Sequence, residues 1–275
     1  MPELPEVEVT RLGLAPRLLG RRLVRVEVRE ARLRCPVPEE LDTILRGQVL
    51  HALDRRGKYL LWRFDRGCLI SHLGMTGVWR IHELPAPPAG KHDHVDLVFE
   101  GVVVRLSDPR RFGAIHWLAR EEGEGESHPA LARLGLEPFD PRFDGAWLHD
   151  HLRGRAAPIK TVLLAGEVVV GVGNIYCSES LYRAGIHPAT PARSLGPKRC
   201  ARLAQTVRQV LAEAIAAGGS TLRDFVSASG QEGYFMVEAG VYGREGLSCR
   251  TCGSTIRRIV QGQRATYYCP RCQRR

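Results

Sequence analysis

Arg55-Arg56-Gly57-Lys58-Tyr59-Leu60-Leu61-Trp62-Arg63-Phe64-Asp65-Arg66-Gly67 sets six apolar, aromatic and basic residues, Tyr59–Phe64, between two glycine breaks. That is the length of a strand rather than of a helix, and the glycines mark its ends. Runs of the same kind recur on both sides, at Leu23–Val28, Val49–Leu53, Leu69–His72, His94–Phe99 and Val102–Leu106. Breaks at Pro85-Ala86-Pro87-Pro88, Gly101 and Asp108-Pro109 separate them. Residues 21–118 therefore read as an all-β sandwich or barrel.

A helix precedes this region over residues 3–19, with Leu4, Val7, Leu12, Leu14 and Leu18 as its apolar stripe and Gly20 as its stop. Glu121-Glu122-Gly123-Glu124-Gly125-Glu126 reads as a solvated loop. Pro138 and Pro141 mark a linker over residues 135–147. Beyond it the period turns helical, at Trp147–Leu152, Ile159–Leu164, Ile175–Ala184 and Lys198–Ala217. Gly218-Gly219-Ser220 ends the last helix, and residues 219–240 are weakly patterned and expected to form a loop. The fold class is α+β: a β domain over 1–134, the linker, a helical domain over 148–240 and a small module over 241–275.

At 275 residues the chain has room for two domains. Forty Lys+Arg against thirty Asp+Glu give a net charge of +10, which favours a polyanionic partner. No apolar run approaches the roughly 18 residues of a membrane span. Glu3, Glu6 and Glu8 interrupt the place where the apolar region of a signal peptide would start. The expectation is a cytoplasmic protein. Of its eight cysteines, Cys35, Cys68, Cys177 and Cys200 stand singly and read as reduced, packed residues. The other four form two CxxC pairs, Cys249/Cys252 and Cys269/Cys272, with sixteen residues between. Four thiolates at that spacing can close a tetrahedral Zn²⁺ site that has no open position and is structural. Residues 241–275 are too few to build a core without the metal.

At the other end, Met1-Pro2-Glu3 offers a secondary amine once Met1 is removed. Such an amine can attack an electrophilic carbon and form an iminium. Glu3 could carry protons beside it; Glu3 and Glu6 equally suit a helix N-terminus. Four further motifs read two ways each. Lys58 is a phosphate or proton-transfer group, or a surface lysine. Met75, in His72-Leu73-Gly74-Met75-Thr76-Gly77, is a wedge for a base stack or a core residue. Asp108-Pro109-Arg110-Arg111-Phe112-Gly113 is a nucleic-acid reader or a tight turn with incidental arginines. Gly171-Val172-Gly173-Asn174-Ile175-Tyr176 is an anion site at a helix start or a plain cap. In the last module, Arg264 stands near the tip of a metal-pinned hairpin, suited to a phosphate.

Taken in order, PELPEVE, RRGKYL, SHLGMTG, DPRRFG, GVGNIY, GGSTLRDF, VYGREG and the paired CxxC motifs resemble the bacterial formamidopyrimidine-DNA glycosylase family over essentially the whole chain. The resemblance implies an N-terminal catalytic β-sandwich, a helix–two-turn–helix domain and a zinc finger, with double-stranded damaged DNA as partner. It implies excision of oxidised purines with β,δ-elimination of the strand, a monomer, a bacterial nucleoid location and one structural zinc. By position, Pro2 is the nucleophile, Glu3 the proton shuttle, Glu6 its support and Lys58 their neighbour. His72, His92, Asn174 and Arg264 hold phosphates, with Tyr176 in the same DNA-binding set. Met75, Arg110 and Phe112 fill the emptied stack, Arg111 faces the orphaned cytosine, and the 219–240 loop closes over the base.

Departures from the family pattern are Val9, Leu12, Cys177 and Met236-Val237; only the last pair bears on lesion preference. The endonuclease VIII branch, for oxidised pyrimidines, opens PEGPE and lacks DPRRFG. A non-catalytic zinc-finger DNA-binding protein has no use for Pro2, Glu3 and Lys58 in register.

Overall fold

A computed structural model describes residues 2–219 and 239–275. The rest of the 219–240 segment, including Met236-Val237, lies outside the described residues, as does Met1. The described chain forms two compact units, residues 2–132 with 217–219 and residues 133–216 with 239–275.

The first unit begins with α1 (Leu4–Leu18), followed by β1 (Leu23–Val28) and the short α2 (Leu41–Leu45). Seven more strands follow: β2 (Leu50–Arg56), β3 (Tyr59–Phe64), β4 (Gly67–His72), β5 (Val78–Glu83), β6 (Asp93–Phe99), β7 (Val102–Ser107) and β8 (Ala114–Ala119). They make two four-stranded sheets, β1-β6-β7-β5 and β2-β3-β4-β8. All pairings are antiparallel, which resolves the sandwich-or-barrel alternative in favour of two sheets. One core lies between them: Leu60, Trp62, Phe64 and Leu69 from one sheet meet Trp79, Val95, Leu97, Phe99 and Val104 from the other. Both indoles donate to one hydroxyl, Trp62 Nε1 at 3.0 Å and Trp79 Nε1 at 3.2 Å from Ser71 Oγ. The buried aromatic N–H groups are thus satisfied without water.

Strands β5 and β8 and helix α2 carry no pattern strong enough to read in advance. Helix α1 packs with Leu4, Val7, Leu14 and Leu18 inward. Leu12, expected on that stripe, is instead 48% exposed.

In the second unit Leu136 is bridged to Val169. Asp144 caps α3 (Gly145–Leu152) by accepting from the Trp147 N–H at 2.7 Å. There follow α4 (Ile159–Ala165), α5 (Asn174–Arg183) and α6 (Pro197–Ala216). α6 turns Leu203, Val207, Val210 and Leu211 inward. The unit ends in a hairpin of β9 (Arg257–Gln261) and β10 (Arg264–Tyr268). Gly262 and Gln263 form its two-residue turn with φ of 53° and 61°, the left-handed pair that matches strand twist. Cys68, Cys177 and Cys200 are buried and Cys35 half-buried, all as free thiols. No helix of the described residues is long and apolar enough to cross a membrane.

Candidate nucleic-acid interface and metal centre

The chain start is a buried capping box. Glu3 caps α1: its side chain accepts from the Glu6 N–H, while Glu6 Oε2 accepts the Glu3 N–H at 2.8 Å. Pro2 is buried, and Glu3 and Glu6 are 2% and 1% exposed. Two carboxylates taken so fully out of water need fixed donors, and the helix start supplies them. Gly219, at φ +86°, lies against Glu6; a Cβ there would meet its Oε1 at 3.2 Å. Outside this box, Glu8 bridges Arg11 at 2.6 Å and Arg55 at 2.9 Å, tying α1 to β2. Burial opposes the Glu8 charge, but the two arginines hold its carboxyl below the usual range.

The β2–β3 hairpin turns through Gly57 and Lys58, with Arg56 opposite Tyr59 and Gly57 at φ 58°. Tyr59 pairs in turn with His72, and their rings stand 4.7 Å apart. Burial, with help from the Lys58, Arg34 and His116 charges, pushes the His72 imidazole down to about 4. The ring is therefore neutral near pH 7. Its Nδ1 accepts the Gly74 N–H at 2.9 Å, which leaves the proton on Nε2.

Two turns that are distant in sequence are clamped together by Asp108, which is fully buried. Its Oδ1 accepts from Thr76 Oγ1 at 2.6 Å and its Oδ2 from the Gly113 N–H at 2.8 Å. The Arg110 N–H donates to Thr76 Oγ1 at 3.2 Å, closing the link. Gly74, at φ 61°, lets the two main chains approach so closely that a Cβ would lie 2.2 Å from the Phe112 carbonyl carbon. This contact brings the half-buried Met75 beside the second turn. Phe112 is 42% exposed, and the Arg110 guanidinium lies over its ring at 4.7 Å. Arg111, at φ 55°, points elsewhere, into an ion pair with Glu30 at 3.1 Å. His92 is exposed, and its carbonyl accepts the Asp108 N–H at 2.9 Å.

In the second unit α5 and the hairpin are bolted together through a buried lysine. Lys160, fully buried on α4, donates from Nζ to Thr266 Oγ1 at 2.8 Å, to Ser178 Oγ at 3.2 Å and to the Ala265 carbonyl at 3.3 Å. Asn174 Nδ2 donates to the same Ala265 carbonyl at 3.0 Å. Its buried Oδ1 has no hydrogen-bond partner among the described residues. Asn174, at the start of α5, therefore stands next to Arg264, the first residue of β10 and fully on the surface. Tyr176 is completely buried, so its ring is packing under α5 rather than an exposed contact.

Cys249, Cys252, Cys269 and Cys272 bring their sulfurs within 4.8 Å of one another. Two of the gaps are 3.4 Å and 3.9 Å. Thiolates 2.3 Å from a tetrahedral Zn²⁺ stand about 3.8 Å apart, so the set fits one zinc and no disulfide. The Tyr182 hydroxyl lies 3.2 Å from Cys249 Sγ, which braces that ligand from α5. Glu179 fixes the approach to the finger by accepting the N–H groups of Gly240, Val241 and Tyr242 at 2.8–3.0 Å.

Asp108, Lys160 and Glu179 were not among the expected site residues. Asp108 lay in plain view inside the DPRRFG motif; a lysine or glutamate on a helix reads as solvated and gives no warning.

The family description "Formamidopyrimidine-DNA glycosylase N-terminal domain" matches residues 1–115. The corresponding H2TH domain matches residues 134–226, and a zinc finger found in FPG and IleRS matches residues 246–275. The formamidopyrimidine-DNA glycosylase of Bordetella petrii is 60% identical over the full length of both chains, and that of Burkholderia multivorans 58%. A Lactococcus lactis FPG mutant, in complex with DNA containing Fapy-dG, superposes with a TM-score of 0.91 at 34% identity and covers both chains fully. The Lactococcus lactis protein with abasic-site DNA gives a TM-score of 0.89 at 34% identity, over 99% of this chain and 100% of that one. By sequence along its whole length and by fold, the chain belongs to the formamidopyrimidine-DNA glycosylase family.

Proposed function

We propose that Pro2 is the nucleophile with which this chain excises oxidised purines from duplex DNA and then cuts the strand at the abasic site. The Lactococcus structures hold Fapy-dG and abasic DNA, a substrate and a product-like site of such a reaction. The chain is a DNA glycosylase of base-excision repair with associated lyase activity. The observation that carries the assignment of Pro2 is the buried Glu3–Glu6 capping box, which fixes the residue that follows Pro2 at the start of α1.

With Met1 removed, the Pro2 nitrogen attacks C1′ of the extruded nucleotide. The bond to the base breaks, and the base leaves with the electron pair and takes a proton. Opening of the sugar ring gives an iminium between Pro2 and C1′. Loss of a C2′ proton then expels the 3′ phosphate, and a second elimination expels the 5′ phosphate. Glu3 moves these protons, and Lys58 acts beside it. Extrusion is required because C1′ is out of reach inside the stack.

His72 donates to phosphate from Nε2 as a neutral ring, and His92, Asn174 and Arg264 complete the phosphate contacts. Met75, Phe112 and Arg110 refill the gap, with Arg111 on the estranged cytosine. The Arg111–Glu30 pair favours a second reading, in which Arg110, stacked on Phe112, reads that base. The four cysteines hold one structural zinc, which locks the hairpin that carries Arg264. The chain acts as a monomer in the bacterial cytoplasm, on the nucleoid.

Borohydride trapping on 8-oxoguanine duplex tests the nucleophile. The Met1-free protein is trapped covalently, Pro2→Gly is trapped weakly, and a form that keeps Met1 is not trapped. Equal trapping of the Met1-retaining form would remove Pro2 from its role.

A further inference from the structure

Five arginines line one pocket of the second unit. Arg183, Arg199, Arg202, Arg274 and Arg275 line a cavity of about 480 Å³, and no acidic residue lines it. The pocket is built rather than incidental. Arg202 Nε donates to the Ala184 carbonyl at 2.7 Å, and Arg199 Nη2 donates to the Arg274 carbonyl at 3.2 Å. Residue 274 is itself laid against the end of α5: its N–H donates to the Gly185 carbonyl at 3.1 Å, and its carbonyl accepts the His187 N–H at 3.0 Å. Each anchor uses one guanidinium N–H or the main chain, so most of the guanidinium donors are not spent on it. Among the described residues, only Arg183 of the five has a carboxylate partner, Glu213. Burial, with a smaller part from the Arg202 charge, presses Arg199 below the usual arginine range.

Arg183 closes α5 and Asn174 opens it. The nine rises of 1.5 Å from Asn174 to Arg183 separate the pocket from the Asn174–hairpin contact by about 14 Å along the helix axis. It is a second cationic locus, at the other end of α5. Five planar forks with a single carboxylate partner among them suit phosphate oxygens, and the substrate of this family is a phosphate polymer.

We propose that this pocket binds backbone phosphates of a second nucleic-acid segment, so that one chain holds two duplexes at once and passes between them. The proposal goes beyond excision and is tested apart from it. Two short duplexes with donor and acceptor dyes, one carrying an abasic analogue, are mixed with the full zinc-bound chain at low salt. The wild type brings the dyes together, and Arg274→Glu with Arg275→Glu abolishes that transfer signal. Among the described residues these side chains make no hydrogen bond or ion pair, so their reversal leaves the main-chain anchors intact. Single-turnover excision from a short duplex stays within about twofold of wild type, which shows that fold and active site are unharmed. Pyrophosphate, added as the free-phosphate source, displaces the second duplex at an ionic strength where chloride does not. An unchanged dye signal in the double variant, no signal in the wild type, or equal displacement by the two salts overturns the proposal. Arg199→Glu provides an independent variant and should behave in the same way.

Discussion

The paired turns at 73–77 and 108–113 and the β9–β10 hairpin present arginines at tight turns, yet they are held in opposite ways. The first pair rises from a sandwich core that includes Trp62, Trp79, Phe64 and Phe99, and a single buried carboxylate, Asp108, clamps it. The hairpin has little beneath it: Val241, Ile256 and two of the metal-site cysteines are the buried members of its cluster. Thiolate–metal bonds and the Lys160 contacts do there what packing does in the β domain. Where a core is large, polar groups refine its geometry. Where it is small, coordination bonds supply the stability.

The sharpest way to break this contrast is to remove the metal. A structural zinc contributes on the order of 10 kcal/mol, more than so small a cluster can replace. Chelation, or Cys269→Ser, should release one zinc and make residues 241–275 susceptible to protease, while the near-ultraviolet signal of Trp62 and Trp79 persists. DNA affinity should fall with the finger. A finger that stays protease-resistant without zinc would show that its packing suffices and end the contrast.

The β domain should respond to its clamp with a smaller loss. Asp108→Ala strands the Thr76 hydroxyl and the Gly113 N–H. Two hydrogen bonds to a carboxylate at ~1.5–3 kcal/mol each put the cost at about 3–6 kcal/mol. Denaturant unfolding measures it, and excision from duplex DNA should slow further than strand cutting at a pre-formed abasic site. A loss below about 1 kcal/mol would mean that the turns are held by packing alone.

The same contrast governs what could be read in advance. Strands β1 and β3 appear in the sequence with the bounds they have in the structure, because each is a compact apolar run between breaks. Strand β5 escapes notice: Arg80, His82 and Glu83 break its apolar run, and it lies at a sheet edge. β8 begins directly after the DPRRFG turn, and α2 is only five residues long. The metal ligands are legible because the coordination number fixes residue type and spacing. Asp108, Lys160 and Glu179 each work through a partner distant in sequence, Thr76, Thr266 and Gly240 in turn, which no local pattern encodes. Arg111 was legible as part of a motif, but not its ion pair with Glu30, 81 positions away.

His72 turns the comparison into a pH dependence. Its folded value, near 4, lies below the unfolded ~6.5. The unfolded chain therefore binds the extra proton first. The stability contributed by the neutral ring is present above pH ~6.5 and is lost as pH falls toward 4, by at most ~3 kcal/mol. His72→Gln should flatten the stability-against-pH curve between pH 4 and 6.5 relative to wild type. An identical slope in both proteins would place the imidazole in water.

The smallest expected effect decides which arginine reads the opposite base. Cytosine and adenine offer different acceptors, and one good base contact is worth roughly 1–3 kcal/mol of discrimination. If Arg111 makes that contact, it must first leave Glu30, a single ion pair near the surface whose loss costs little. Arg111→Ala should then narrow the preference for 8-oxoguanine opposite C over A by about tenfold or more in single-turnover excision, whereas Arg110→Ala should slow both pairings alike by exposing Phe112. Glu30→Gln separates the tether from the reader: it frees Arg111 without removing it, so overall affinity should rise while the C-over-A ratio is kept. If instead Arg110→Ala collapses the ratio and Arg111→Ala leaves it intact, the reader is the arginine stacked on Phe112, and the Glu30 pair is a brace for the turn.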